Sequence, residues 1–180
     1  MPRARPQVAV REAGPDDIDV VVAFGETLRA AGVLPRRTGL GRVAPAEEAY
    51  AEVLNDPDLR VVLAVDESDG PLGMAIFVHA PATSLLDIPA LHVTHVVVAD
   101  PHRRKGVGRA LVGAAAAHAE ELGLEQVVVN VAHGAREANR FYARLGFAPH
   151  AVRRVAPVTA LRRRLAGEHE QVVRRRALRR

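Results

Sequence analysis

The sequence has no cysteine and no tryptophan, and only six of its 180 residues are aromatic. Without cysteine, the chain can form neither disulfides nor thiolate metal sites. With so few aromatic side chains, a hydrophobic core has to be built from Val, Leu, Ile and Ala, and a surface on which nucleic-acid bases stack is not expected. Serine is also scarce: Ser68 and Ser84 both lie in predicted turns, which argues against a serine hydrolase.

Long apolar runs are missing as well. The basic N-terminus is not followed by the apolar stretch of a signal peptide, and no run reaches the length that spans a membrane. We therefore expect a cytoplasmic protein with no membrane partner. A hydrophobic content of 48% over 180 residues suits one domain. We assign residues 7–166 to this domain, residues 1–6 to an N-terminal extension and residues 167–180 to a basic C-terminal tail.

The net charge of +4 is distributed unevenly. Residues 151–180 carry ten arginines against Glu168 and Glu170, whereas residues 1–150 are mildly acidic. The basic tail could contact phosphates on a partner, but charge runs at chain ends are more often a solvated terminal helix. A nucleic-acid partner is therefore not expected.

Hydrophobic periodicity and turn residues predict alternating strands and helices. The predicted order is β-α-α-β-β-β-α-β-α-β, with residues 147–166 supplying one or two strands at a sheet edge. In the helix over residues 106–123, one apolar face is predicted, made of Val107, Leu111, Ala114, His118 and Leu122. This order predicts a single α/β domain with a mixed sheet and no internal repeat.

The segment Arg103-Arg104-Lys105-Gly106-Val107-Gly108 joins a Val-rich strand to that helix. Its two glycines let the backbone approach a ligand closely, and the amides of residues 104–109 lie at a helix N-terminus, which favours an anion such as a phosphate. A Walker loop is excluded because GxxxxGK[ST] is absent. A dinucleotide fingerprint is excluded because Leu111 stands where its third glycine would be. The remaining pattern is R-x-x-G-x-G.

This pattern resembles the acyl-CoA-binding signature of the GNAT superfamily of N-acyltransferases. The helix after the next strand carries "FYARLGF", residues 141–147, which is similar to the tyrosine and Gly-Phe motif of that family. The resemblance extends over about residues 7–165 and implies a mostly antiparallel mixed sheet flanked by helices. In one respect the chain departs from the family, because Ala135 stands where many members have an asparagine that touches the cofactor. Asn139 is a partial substitute in our assignment.

The resemblance implies a site for acetyl-CoA as co-substrate, with no metal. Its pantetheine arm would lie beside the strand, its pyrophosphate would lie on the loop amides, and Tyr142 would be the general acid. His92, eleven residues before the first loop arginine, occupies the position of the family's general base. The cofactor-binding residues implied in this way are Val96, Val97, Val98, Arg103, Arg104, Lys105, Gly106, Val107, Gly108, Arg109 and Asn139.

Each of these residues also has a simpler interpretation. Tyr142 could be a core aromatic, His92 a packing residue, and the three loop cations a solvated turn. Strand alternation predicts that His95 points to the face opposite His92, which argues against a metal pair. Since no cysteine is present and the eight histidines are scattered, no metal-ligand spacing is found.

The resemblance implies an N-acetyltransferase that acts on a primary amine of a small molecule or peptide. Arg36, Arg37 and Arg42 lie in the connector where this family frames its acceptor site, and could suit an acidic acceptor or simply be solvated. The alternative is a catalytically silent acyl-CoA-binding module that acts through its basic tail on a nucleic acid or protein. A homodimer is left open.

Overall fold

In the computed structural model, the structure describes residues 8–31, 46–82, 88–132, 134–151, 154 and 156–166. The chain divides into two compact units, Met1–Ala135 and Arg136–Arg180. Each unit is described by itself below. The assignment of residues 7–166 to one domain stays a prediction.

The first unit is built on a five-stranded sheet with the order β1-β2-β3-β4-β5. The first four strands pair antiparallel with their neighbours, and β4 pairs with β5 in parallel. The mixed, mostly antiparallel sheet predicted above is confirmed. The strands are β1 Ala9–Glu12, β2 Leu59–Val65, β3 Pro71–Pro81, β4 Pro89–Val98 and β5 Gln126–Val129.

Among the described residues of this unit, three helices flank the sheet: α1 Ile18–Ala30, α2 Ala46–Asn55 and α3 Val107–Glu121. On one face, the buried side chains of α1 pack against Met74 of β3 and Val97 of β4. On the other face, α3 packs against Phe77, Leu91 and Val93. The core therefore has one layer on each side of the sheet, and β3 and β4 contribute to both layers.

The buried face of α3 is rotated from the predicted one. Val107 and Leu111 are buried as expected, but Leu122 is 48% exposed, and Val112, Ala115 and Ala119 are buried in addition. Several alanines in succession give the helix little contrast in hydrophobicity, so contact with the sheet decides which face is covered.

Strand β4 contains an irregularity in its pairing with β3. Ile76 lies opposite His95, while the next residue, Phe77, lies opposite Val93. Thr94 is therefore an extra residue, as in a β-bulge. Because a bulge shifts the alternation of side chains by one, it changes which residues of β4 share a face.

The second unit contains α4, Arg136–Arg144, which is followed by Gly146 in the left-handed region with φ of 92°. A further helix covers residues 158–166. The prediction of an edge strand is wrong over these residues, since Ala, Leu and Arg are strong helix formers and Pro157 precedes the helix. The amide of Leu161 donates to the carbonyl of Pro157 at 3.0 Å.

Candidate functional site

The first part of the candidate site is the edge of β4. This strand pairs with β5 only from Ala90 to Val93, whereas its pairing with β3 continues to Val98. Beyond Thr94, none of the strands in the described ranges pairs with β4 on the side of β5. Val96, Val97 and Val98 therefore lie on a stretch of strand that has one open edge, where an extended ligand could add like a further strand.

The loop after β4 begins with a 3-10 turn, Asp100–His102. Arg103 folds back on this turn: its Nε lies 3.0 Å from Oδ1 of Asp100 and 3.4 Å from the carbonyl oxygen of Val98. This side chain braces the loop against the strand end. Arg104 and Gly106 both have positive φ, 62° and 95°, so the chain turns sharply before α3 starts.

The start of α3 presents unpaired backbone donors. The first backbone bond of the helix runs from the amide of Ala110 to the carbonyl of Gly106 at 3.0 Å, so the amides of residues 107–109 have no acceptor within the helix. Gly106 has no side chain to cap them, and the first turn contains no acidic residue. A Cβ atom on Gly106 would meet nothing within 4 Å, so the space beside the residue that precedes these amides is open.

The charges around this helix start are positive. Arg104, Lys105 and Arg109 are exposed, Gly108 is half-buried, and Val107 is part of the core. The amides and the cations together favour an anionic group. The structure thus brings the predicted loop residues next to the open edge of β4, both within the first unit.

His92 and His95 lie on the same face of β4, so the prediction of opposite faces is wrong. His95 is opposite Ile76, which packs in the layer of α1, and His92 is opposite Val78, two residues further along β3. The bulge at Thr94 is the physical reason. Nε2 of His92 lies 3.1 Å from the carbonyl oxygen of Pro81, and Nδ1 of His95 lies 3.1 Å from Oγ1 of Thr94. Burial lowers the pKa of His95 below its ordinary value.

Tyr142 belongs to the second unit, on α4. Its ring contacts Phe141 at a centroid distance of 5.0 Å and Phe147 at 5.4 Å, both edge to face. The carbonyl of Tyr142 accepts hydrogen bonds from the amides of Leu145 and Phe147, which closes α4 at the Gly-Phe motif. Burial raises the pKa of the Tyr142 hydroxyl, so this hydroxyl keeps its proton at neutral pH.

The remaining predicted residues contribute less to the geometry of the site. Asn139 is exposed on α4, and Ala135, at the end of the first unit, is half-buried. Arg36, Arg37, Arg42 and the tail, 167–180, lie outside the described residues. Sequence reasoning passed over Thr94 and gave His95 no role, because a bulge has no signature in the sequence of one strand.

Two features bear on metals and membranes. Within the ranges that the structure describes, no group of three or more His, Cys, Asp or Glu side chains could hold a metal ion. No helix in the same part of the chain is both long enough and apolar enough to cross a bilayer.

Residues 34–147, more than half of the chain, match the model of the GNAT acetyltransferase family. Among curated proteins, none matches this chain at a significant level.

Several solved structures share the fold. A ribosomal-protein-alanine N-acetyltransferase from Brucella melitensis biovar Abortus 2308 has a TM-score of 0.68 at 22% identity, over 84% of this chain and 99% of that chain. An aminoglycoside acetyltransferase from an uncultured soil metagenomic sample has a TM-score of 0.66 at 16% identity, over 84% and 96%. A transcriptional regulator from Bacillus halodurans C-125 has a TM-score of 0.67 at 22% identity, over 84% and 100%. At these identities the likeness shows the fold alone.

Proposed function

We propose that this chain, which belongs to the GNAT acetyltransferase family, transfers an acetyl group from acetyl-CoA to a primary amine of a small molecule or peptide. One observation carries the proposal: the open edge of β4 after Val93 leads directly into the uncapped N-terminus of α3. An extended arm that ends in a pyrophosphate fits this succession of an open strand edge and an anion site.

The loop would bind the pyrophosphate. The amides of residues 104–109 would donate to its oxygens, and Arg104, Lys105 and Arg109 would add positive charge. Arg103 would act mainly by bracing the loop, since its side chain already contacts Asp100 and Val98.

The edge of β4 would hold the pantetheine arm. Backbone groups of Val96, Val97 and Val98 would bond to its amides as a neighbouring strand does. A backbone N–H near Val98 would polarise the thioester oxygen and stabilise the charge that develops on it.

The chemical step would be a direct transfer. The amine nitrogen attacks the thioester carbonyl carbon, and the C–S bond breaks as the C–N bond forms. In our assignment Tyr142 protonates the leaving thiolate, His92 stands at the family position for the group that removes the proton of the amine, and Asn139 contacts acetyl-CoA. Burial raises the pKa of Tyr142, so its hydroxyl is protonated before the thiolate forms, as a proton donor has to be.

The structural neighbours suggest two classes of acceptor amine. One neighbour acts on an alanine of a ribosomal protein and another on aminoglycosides. Peptide N-termini and amino sugars are therefore the first amines to test.

One feature favours the second candidate, a silent module that binds a partner. The helix over residues 158–166 exposes Val158, Leu161 and Leu165 and carries three consecutive arginines, Arg162, Arg163 and Arg164. An apolar stripe beside positive charge is typical of a surface that contacts another molecule.

The test has two stages. Calorimetric titration with acetyl-CoA should show binding, and a panel of peptides and aminoglycosides should contain at least one amine that releases CoA faster than buffer does. Binding without release by any amine would favour the silent module. Absence of acetyl-CoA binding would overturn both candidates.

A further inference from the structure

We propose that His95 accepts the proton of the attacking amine, that Thr94 is its positioning residue, and that His92 acts beyond it on the path to solvent. The inference rests on the proposed function and deepens it, since it names the residue that first receives the proton. It depends on the bulge in β4. The bulge turns His95 to the same face of the sheet as His92, whereas a regular strand would turn it to the opposite face.

The bulge makes the two histidines neighbours. Their partners on β3, Ile76 and Val78, are two residues apart on one face, which corresponds to about 7 Å along a strand. Without the extra residue Thr94, the side chains of residues 92 and 95 would point to opposite faces. His95 is the nearer of the two to the open strand edge, because it directly precedes Val96.

A chain of hydrogen bonds orients the His95 ring. Oγ1 of Thr94 lies 3.3 Å from the carbonyl oxygen of Ile76 and 3.1 Å from Nδ1 of His95. A carbonyl oxygen can only accept, so the single proton of the hydroxyl is donated to Ile76. The hydroxyl therefore accepts from Nδ1–H of His95. In the neutral ring this leaves the lone pair on Nε2, the nitrogen that would take the proton.

His92 is held differently. Its Nε2 lies against the carbonyl of Pro81 at 3.1 Å and donates to it, since that carbonyl also has no proton to give. The ring is tied to the end of β3, farther from the stretch Val96–Val98. This arrangement suits a group that passes a proton outward better than one that meets the amine first.

The surroundings of His95 keep it neutral. Burial lowers its pKa, and no charged group in the described part of the chain contributes to the shift. On the same face of β4, the other ionisable side chain is that of His92. On the helices that pack on this face, Glu26 and Arg29 of α1 form an ion pair, and Arg29 also contacts the hydroxyl of Tyr50 on α2. Asp19 of α1 and Glu48 and Glu52 of α2 are exposed.

The proton balance is simple. The ammonium form of the amine gives one proton to Nε2 of His95, and the electron pair left on nitrogen forms the new C–N bond as the C–S bond breaks and its pair leaves on sulfur. The nitrogen then loses its second proton to become the amide, and this proton is available to reprotonate Tyr142. The thiolate takes its proton from Tyr142. His95 then loses its proton to solvent by way of His92, and the enzyme returns to its starting state once Tyr142 is reprotonated.

The test compares His95→Gln with His92→Gln and with a control, His79→Gln. His79 is an exposed histidine on β3 that lies opposite Leu91, on the other face of the sheet. We expect His95→Gln to lower kcat at neutral pH by about 10²- to 10⁴-fold, with unchanged acetyl-CoA affinity. The loss should shrink as pH rises, because more amine is then already deprotonated. His92→Gln should cause a smaller loss, and His79→Gln none.

Two substitutions test the role of the Thr94 hydroxyl. Thr94→Val removes the acceptor for Nδ1–H, so it should lower kcat and move the acidic limb of the pH profile, while Thr94→Ser should restore both. If Thr94 acted by packing alone, Thr94→Val would leave kcat and the pH profile unchanged, because valine keeps the shape of the side chain.

The outcomes separate this inference from the proposed function. If wild type releases CoA with an amine but His95→Gln keeps the wild-type rate and pH profile, or if His92→Gln loses more activity, the assignment of His95 is overturned and the transferase remains. If wild type releases no CoA with any amine, both fall together. Melting curves and acetyl-CoA titration of each variant establish that a loss of rate is not a loss of folding.

Discussion

Gly73 of β3 lies so close to Val97 of β4 that a Cβ atom on residue 73 would come 2.7 Å from the Val97 carbonyl oxygen. The same atom would lie 3.1 Å from Cγ1 of Val107, the first residue of α3. The missing side chain at this position therefore lets the start of α3 approach the part of β4 that carries the open edge.

We predict that Gly73→Ala destabilises the protein by about 1–3 kcal/mol, the usual cost of overpacking, and weakens acetyl-CoA binding, because backbone and helix must move apart. Thermal melting and calorimetric titration measure the two effects. Gly113→Ala on α3 is the matched control, since a Cβ there meets nothing within 4 Å and alanine favours a helix. Equal behaviour of the two variants would contradict the prediction.

Two alanine variants distinguish a role of Gly106 in binding from the backbone strain that a side chain at its positive φ would cause. Alanine at φ of 95° should cost about 1–2 kcal/mol of stability, and Gly123→Ala should cost a similar amount, because Gly123 has φ of 68° at the other end of α3. Only Gly106→Ala should also weaken acetyl-CoA binding, by about tenfold or more, since it disturbs the turn that presents the helix amides. Equal affinity in the two alanine variants would remove the loop from the binding site.

Tyr142→Phe tests the general acid. Phenylalanine keeps the ring contacts with Phe141 and Phe147 but lacks the proton that the thiolate needs. We expect kcat to fall by about 10²- to 10⁴-fold, with nearly unchanged acetyl-CoA affinity and melting temperature. Phe141→Leu is the control for a packing defect, and should affect stability more than turnover. Full activity in Tyr142→Phe would leave Tyr142 as a packing residue.

The C-terminal tail can be removed cleanly. The last described helix ends at residue 166, so truncation after Gly167 keeps every described element and deletes five arginines. We expect acetyl transfer to a small amine to stay within a few-fold of the full chain. A large loss of turnover, of folding or of a dimer in size-exclusion chromatography would assign the tail to the enzyme itself.

Arg11 links two carboxylates, with Nη1 at 2.7 Å from Asp17 and Nε at 2.8 Å from Asp69. The bond from Arg11 lowers the pKa of Asp17 below its unfolded value. The stabilisation is therefore present above the unfolded pKa of about 3.9 and is lost as pH falls through the folded pKa. Asp17→Asn should lower the melting temperature by a few degrees at neutral pH and by less in acid. Asp16→Asn, on an exposed neighbour, is the control, and equal shifts at both pH values would contradict the ion-pair assignment.

Local features of the site were readable from residues close together in the chain. Helix α3 starts where the glycines of R-x-x-G-x-G predict, and the strand before it ends at Val98. Helix α4 ends at the Gly-Phe motif. These depend on backbone freedom at glycine and on periodicity within one segment, which neighbouring residues determine.

Residues 158–166 form a helix where a strand was predicted. Their strand prediction came from hydrophobic periodicity and turn residues over the longer segment 147–166, whereas the composition of Ala, Leu and Arg within residues 158–166 favours a helix. Propensity within the segment was the better guide here.

The sequence by itself determined the order of strands and helices as far as α4, the glycine loop and the start of α3, because each depends on residues a few positions apart. Only the tertiary structure decided that His92 and His95 share a face, that Gly73 admits the start of α3, and that Ala115 and Ala119 are covered while Leu122 is exposed. The physical reason is that a bulge, a close approach and a buried helix face arise from pairing and packing between elements distant in the chain.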